Sequence, residues 1–335
     1  MRVTIREVAR QAGVSISTAS RALNQKGDIA PARRTSIVEI ARKLGYTPSA
    51  VARALVSGRT RTLGAVITDN ASPVYAQALR GVQDVATQAG FGVLFCNSAD
   101  SQEQALQCLA MLRSKQVDGV LIAPVQTDRR DVEQLEQDGV PFVFLLRHFP
   151  EYRHMDYVVT DNVAGGRLLA DHLLDLGHTR IGHIAGPPHT STAQGRLAGY
   201  RQALAARGIA VAQDLIVHAP YSVAGGCEAA HRLLNRTDRP SAIFAATDLQ
   251  AVGVFRAAQQ YGLRIPEDVA LAGGDDIELA EFLRVPLTTF RQPAREIGAL
   301  ATEILVAKLT GNQPEARQVV IKPELVVRQS SGCRR

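Results

Sequence analysis

Thr4-Ile-Arg-Glu-Val-Ala-Arg-Gln-Ala-Gly-Val-Ser-Ile-Ser-Thr-Ala-Ser-Arg-Ala-Leu-Asn24 has the pattern of two short helices joined by a tight glycine turn. Thr4 and Glu7 have the spacing of a capping box, and Ile5, Val8, Ala9 and Ala12 recur behind them at helical intervals. Gly13 supplies the turn. Ser15 caps a second helix that runs to about Leu23 and turns Ala19, Ala22 and Leu23 inward. Pro31 suits the first position of a third helix, which buries Ile37, Ile40, Ala41 and Leu44 and stops at Gly45. Three short helices around one core make a minimal globular head.

Charge separates this head from the remainder. The chain has 335 residues and a formal net charge of +6. Residues 1–61 hold 12 Lys/Arg against 3 Asp/Glu, so the whole basic surplus lies there and the remainder is slightly acidic. A small basic module is the electrostatic footprint of phosphate binding. Between Tyr46-Thr-Pro-Ser49 and Ser57-Gly58 lies Val51–Val56, a linker with a helical option capped by Ser49. At this length an isolated helix is marginal in water, so it needs a partner to form.

From Leu63 onward short apolar runs alternate with amphipathic stretches. Leu63–Ile67, Gly92–Cys96, Gly119–Ala123 and Val140–Leu146 read as strands, with helices at Tyr75–Ala89 and Glu103–Lys115 between them. After Asp161 the rhythm restarts. Strands are expected at Ile181–Ala185, Leu215–His218, Ala242–Ala246 and Val269–Ala272, with helices at Gly165–Leu176, Gly195–Ala206, Gly225–Asn235 and Leu249–Tyr261. Arg291–Leu309 reads as one more helix, and Val319–Ile321 and Leu325–Val327 as final strands. Continuous apolar strands alternating with helices imply parallel sheets covered on both faces. The expected fold is α/β, an all-α helix-turn-helix head followed by two tandem doubly wound lobes.

In a helix-turn-helix the first residues of the second helix face base edges in the major groove. Here these are Ile16 and Ser17, with Arg21 one turn further. Arg21 suits a bidentate contact to guanine and Ile16 a thymine methyl group. Thr4, Ser15, Thr18, Ser20 and Asn24 supply hydroxyl and amide groups of the kind that contact phosphates. The competing reading, ordinary surface residues of a small bundle, leaves an exposed isoleucine at a helix start unexplained. Leu55 is a lone leucine on a segment without a core, suited to wedge between base pairs from the minor groove or, more plainly, to pack on the body.

These motifs identify a resemblance. Val3-Thr-Ile-x-x-Val-Ala-x-x-Ala-Gly-Val-Ser-x-x-Thr18, Ser20-Arg21-x-Leu23-Asn24, Leu44-Gly-Tyr46-x-Pro48 and Ala52-Arg-Ala-Leu55 are followed in order by Asp161-Asn, Leu176-Gly-His-x-Arg-Ile181, Gly186-Pro, Arg196-x-x-Gly-Tyr200, Gly262-Leu-x-Ile-Pro266, Asp268-Val, Gly274-Asp-Asp276 and Leu287-Thr-Thr-x-x-Gln-Pro293. In this the chain resembles the lactose-repressor (LacI/GalR) family of bacterial transcription regulators over nearly its full length. The resemblance implies a homodimer on a near-palindromic double-stranded operator, with Ala52 and Leu55 of a hinge helix at the DNA. It also implies a body like periplasmic sugar-binding proteins. The implied boundaries are a head at 1–46, a hinge at 47–60, an N-terminal lobe at 61–160 plus 292–320, a C-terminal lobe at 161–291 plus 321–330, and a tail at 331–335.

Carried over position by position, the resemblance places a small-molecule effector against Asp69, Val74, Tyr75, Arg147, Thr190, Thr192, Arg196, Tyr221, Asp248, Asp275 and Gln292. Open α/β sheets bind ligands beyond the carboxyl ends of their strands, which agrees. Arginine and aspartate beside aromatic rings suit a polyhydroxylated ligand, while a cap or salt bridge is the plainer role for each acid and the favoured one for Asp276. Leu146-Arg147 replaces the Asp-Arg pair of many relatives, which weakens the case for a neutral sugar and leaves room for a sugar acid or phosphosugar. Thr247 replaces their asparagine.

The eight histidines show no metal-binding spacing, no nucleophile elbow or phosphate loop appears, and the four cysteines make no Cys-x-x-Cys pair. An enzyme acting on sugars is therefore disfavoured, and neither a metal nor a cofactor is expected. A transported-solute receptor would account for the body but not for the basic head. No apolar run reaches membrane-spanning length, and a reduced cytoplasmic setting without membrane contact is expected.

Overall fold

The computed structural model describes residues 3–24, 27–46, 58–125, 130–149, 154–312 and 315–332. The chain divides into two compact units, Met1–Thr60 and Arg61–Arg335. In the first, α1 (Ile5–Gln11), α2 (Ile16–Leu23) and α3 (Pro31–Lys43) surround Val8, Ala9, Ala19, Ala22, Ile37 and Ala41. Thr4 and Glu7 form the capping box, the Glu7 carboxylate accepting from Thr4 N at 2.7 Å. That bond holds the Glu7 carboxyl below its usual range. Gly13 and Gly45 close α1 and α3 at φ 63 and 68°, backbone that costs a residue with a Cβ atom. Ser49, Ala52, Leu55 and the rest of Val51–Val56 lie outside the described residues, as does Cys333.

In the second unit the strands are β1 (Thr62–Ile67), β2 (Gly92–Asn97), β3 (Gly119–Ile122), β4 (Phe142–Leu145), β5 (Tyr157–Thr160), β6 (Ile181–Ala185), β7 (Ile216–His218), β8 (Ala242–Ala245), β9 (Ala270–Asp275), β10 (Thr288–Arg291), β11 (Gln318–Ile321) and β12 (Glu324–Val326). Between them run α4 (Pro73–Gln88), α5 (Gln102–Ser114), α6 (Arg130–Gln137), α7 (Asn162–Asp175), α8 (Ser191–Ala206), α9 (Val223–Leu234), α10 (Asp248–Gln260), α11 (Leu279–Phe282) and α12 (Ala294–Leu309). One sheet has the order β11-β5-β4-β3-β1-β2 and is parallel throughout. The other has the order β12-β10-β9-β8-β6-β7, antiparallel only where β12 meets β10. Each sheet carries an apolar core on both faces, which is why its inner strands read as unbroken hydrophobic runs.

The structure departs from the sequence reading in several places, beginning with the helices α6 and α11, which the sequence reading did not include. β5 and β10 were not expected; Thr288 and Thr289 are fully buried although their side chains are polar. The expected helix at Arg291–Leu309 starts only at Ala294, after Pro293, because proline pushes the preceding residue toward extended backbone. Ser331, read as the first residue of a tail, is buried: its hydroxyl pairs with Thr288 Oγ1 at 2.8 Å and His172 Nε2 at 2.9 Å, tying the chain end into the second sheet.

Helices pack closely where glycines face each other. A Cβ atom at Gly166 in α7 would lie 2.1 Å from the carbonyl oxygen of Arg196 in α8, and one at Gly199 in α8 would lie 2.0 Å from that of Val163. Backbone cannot yield as a side chain does. Gly166→Ala is therefore expected to destabilise the body by about 2–4 kcal/mol, read by urea denaturation, since it adds overpacking to a displaced α8. A change below roughly 0.5 kcal/mol would mean that the two helices separate freely.

Candidate functional site

The carboxyl ends of both sheets open into one cleft of ≈ 330 Å³. Thr68 and Asp69 follow β1, and Ser72, Val74 and Tyr75 open α4; Asn97, Ala99 and Asp100 end β2, and Leu146 and Arg147 follow β4. From the second lobe come Thr192 and Arg196 on α8, Pro220, Tyr221 and Ser222 after β7, Thr247 after β8, Asp275 at the end of β9, and Gln292 after β10. Val74 touches the cores of both lobes.

Arg196 is the centre of the second wall. It is 1% exposed, and its guanidinium is fixed on every side. Nε donates to Asn162 Oδ1 at 3.0 Å, Nη1 to the Ala246 carbonyl, and Nη2 to Asp275 Oδ1 at 2.9 Å and Gln292 Oε1 at 3.5 Å. Its Cζ stands 4.7 Å from the centroid of Phe290, a cation–π contact. Burial pushes the Asp275 carboxyl up, and Arg196 offsets part of that shift. Asp275 and Asp276 have φ of 119 and 55°, in the left-handed region unfavourable for residues other than glycine. Ala99, Asp100 and Leu146, with φ of 49, 54 and 63°, share this property. Such strain concentrates where surrounding structure holds a ligand clamp in place.

Two residues expected at the ligand instead stand behind the wall. Asp248 is fully buried and does not line the cleft. Its carboxylate accepts from Thr289 Oγ1 at 2.7 Å and from Ile277 N at 2.9 Å, so it anchors the strained turn that presents Asp275. Burial first and the nearby Asp275 second push its carboxyl well up. Thr190 does not line the cleft either; it caps α8 and shares a hydrogen bond of 3.2 Å with the Tyr221 hydroxyl, holding that ring. Gly186 makes room for the ring, since a Cβ there would fall 2.1 Å from it. Asp276 forms ion pairs with Arg291 and Arg328 at 2.9 and 2.7 Å, the structural role favoured from the sequence.

On the opposite wall Arg147 is 5% exposed and pairs with Asp100 Oδ1 at 2.7 Å. Asp100 was not anticipated, and neither were Thr68, Ser72, Asn97, Ala99, Pro220 and Ser222 as lining. Apart from Asn97, the last residue of β2, they sit in loops without periodicity, where only strand ends give a signal. Tyr75 and Tyr221 are both pushed up by burial and stay neutral.

The head presents a second surface. Ser15, Ile16, Ser17, Arg21 and Asn24 are exposed, while Thr18 and Ser20 are half-buried. Ser15 Oγ accepts from Thr18 N at 3.1 Å, and Asn24 Nδ2 donates to Ser20 O at 2.9 Å. Ile16 is 47% exposed at the start of α2. Thr4 is exposed at its cap but engaged with Glu7.

Both parts of the chain have counterparts among known proteins. Residues 4–49 match the family described as bacterial regulatory proteins, lacI family, and residues 170–331 match the periplasmic binding protein-like domain. The ribose operon repressor of Escherichia coli K12 is 34% identical over 98% of this chain and 99% of its own. The lac repressor dimer bound to operator and the anti-inducer ONPF superposes with a TM-score of 0.89 at 27% identity, covering 99% of each chain. A complex of the transcriptional regulator CelR with cellobiose superposes at 0.77 with 33% identity, over 98% of this chain and 100% of that one. Among the described residues no helix is long and apolar enough to cross a membrane. With a DNA-reading head, a two-lobed ligand cleft and such relatives along its whole length, the chain belongs to the lacI family of bacterial regulatory proteins.

Proposed function

We propose that this regulator acts as a repressor whose operator affinity is set by a small polyhydroxylated effector held in the cleft. The single observation that carries the reading is the facing pair of ion pairs, Arg196–Asp275 on one wall and Arg147–Asp100 on the other, with Tyr75 and Tyr221 beside them. Fork-shaped donors next to carboxylate acceptors read hydroxyl groups from two sides, and flat rings cover the apolar face of a sugar. A ligand that touches both walls favours one lobe arrangement over another, and the shift equals its difference in affinity for the two. The hinge at 47–60 carries that difference to the DNA by changing its helix–coil balance.

The operator side rests on Ile16, Ser17 and Arg21 for base contacts and on the hydroxyls around them for phosphates. Two copies of the chain on a near-palindromic site complete the assembly, in the cytoplasm. Exposed Leu94, Phe95, Leu106 and Met111 on the first lobe and Leu279 and Phe282 on the second supply apolar surface for that pairing. The test is selection of genomic fragments by the full chain, with and without a panel of sugars, sugar acids and phosphosugars, alongside melting temperatures. At least one compound should both raise the melting temperature and change recovery of a discrete sequence. Recovery of no sequence under any condition would overturn the reading.

A further inference from the structure

We propose that Asp100 closes the cleft to anionic ligands by neutralising Arg147, so that the effector is an uncharged polyhydroxy compound rather than a sugar acid or a phosphosugar. The inference rests on the cleft being the effector site and narrows what it takes.

Leu146 leaves position 146 without an acid, which by itself exposes the Arg147 cation to an anion. The fold supplies the acid from another strand. Asp100, after β2, places Oδ1 2.7 Å from Arg147 Nη1, and the guanidinium otherwise meets the Pro124 carbonyl at 3.5 Å and stands 5.8 Å from the Tyr221 ring. Burial works against the Arg147 cation, and the adjacent Asp100 carboxylate favours its charged form. Asp100 adopts its left-handed φ of 54° next to Ala99 at 49°, a costly pair of conformations that aims this carboxylate.

The remaining charges point the same way. Arg196 is matched by Asp275. Asp69 also lines the cleft and takes the Ala71 N–H at 2.9 Å, with no cation paired to it among the described residues. Three carboxylates therefore face two guanidiniums, and the cleft is net negative. An entering anion has to displace a carboxylate from a buried arginine or sit beside one at low dielectric, both unfavourable. A neutral polyol meets no such opposition: its hydroxyls donate to the free lone pairs of Asp69, Asp100 and Asp275 and accept from the arginine N–H groups.

Asp100→Asn tests this cleanly, since asparagine tolerates left-handed backbone better than other residues and keeps the side-chain shape. Titration calorimetry on the full chain would compare glucose and ribose with gluconate, glucuronate and inorganic phosphate. The wild type should bind none of the three anions measurably. Asp100→Asn should gain about tenfold or more for at least phosphate, the smallest probe, and the gain should vanish in Asp100→Asn/Arg147→Met. The proposal is overturned if the wild type binds an anion more tightly than the neutral sugars. It is equally overturned if Asp100→Asn, folded by its melting temperature, gains nothing, or if the gain survives without Arg147. Should neither sugar bind the wild type, the phosphate arm still decides. Failure of the effector reading itself looks different: ligands then bind in the cleft as described while operator affinity stays constant.

Discussion

Arg196→Ala is expected to lower the stability of the body by about 3–5 kcal/mol, to abolish ligand binding in the cleft, and to remove any response of operator binding to effector. From the sequence Arg196 resembles a ligand contact alone. The structure adds that its donors hold Asn162, Ala246, Asp275 and Gln292 in register and that its Cζ lies over the Phe290 ring. Truncation leaves the Asp275 carboxylate buried without a cation, beside Asp248, whose own carboxyl is already pushed up by burial. The penalty comes mainly from that abandoned charge. The double variant Arg196→Ala/Asp275→Ala should therefore lose clearly less than the sum of the two single changes, a coupling of roughly 1–3 kcal/mol by urea denaturation. Additive losses would show that the ion pair contributes nothing beyond its separate contacts. Head folding, followed by its own hydrogen-exchange protection, should be unaffected.

The second large effect is expected on DNA. Leu55→Ala should weaken binding to a selected operator by about 100-fold, roughly 3 kcal/mol, while binding to random duplex changes by less than about threefold. Wedging a leucine between base pairs matters only where the hinge folds on a bendable central step, and non-specific binding is carried by phosphates. The salt dependence of operator binding should keep its slope, because no cation is lost. Equal losses on both DNAs would remove the wedge role and leave Leu55 as a residue that packs on protein.

Much of the head was legible because local rules decide it. The Thr4–Glu7 box, the Ser15 cap, Pro31 and Gly45 each act within one turn of helix, and the structure shows all four. The buried strands were legible for a similar reason, since a strand covered on both faces is apolar at every position. β10 escaped because its threonines satisfy their hydroxyls with partners distant in sequence: Thr289 with Asp248 at 2.7 Å and Thr288 with Ser331 at 2.8 Å. The cleft was half legible. Arg196 and Asp275 stood in recognisable motifs, and Tyr75, Arg147 and Tyr221 at positions carried over from the resemblance, whereas Asp100 and the supporting duties of Asp248 and Thr190 depend on which strand ends meet.

Read as a string, the chain specified that a basic helical module precedes two alternating α/β lobes, because capping, periodicity and charge content are short-range properties of neighbouring residues. Only folding in three dimensions determined which carboxylate faces Arg147. A buried cation takes its counter-charge from whatever strand end lies within hydrogen-bond reach, and in this molecule that group is Asp100, far from Arg147 in sequence and 2.7 Å away in space.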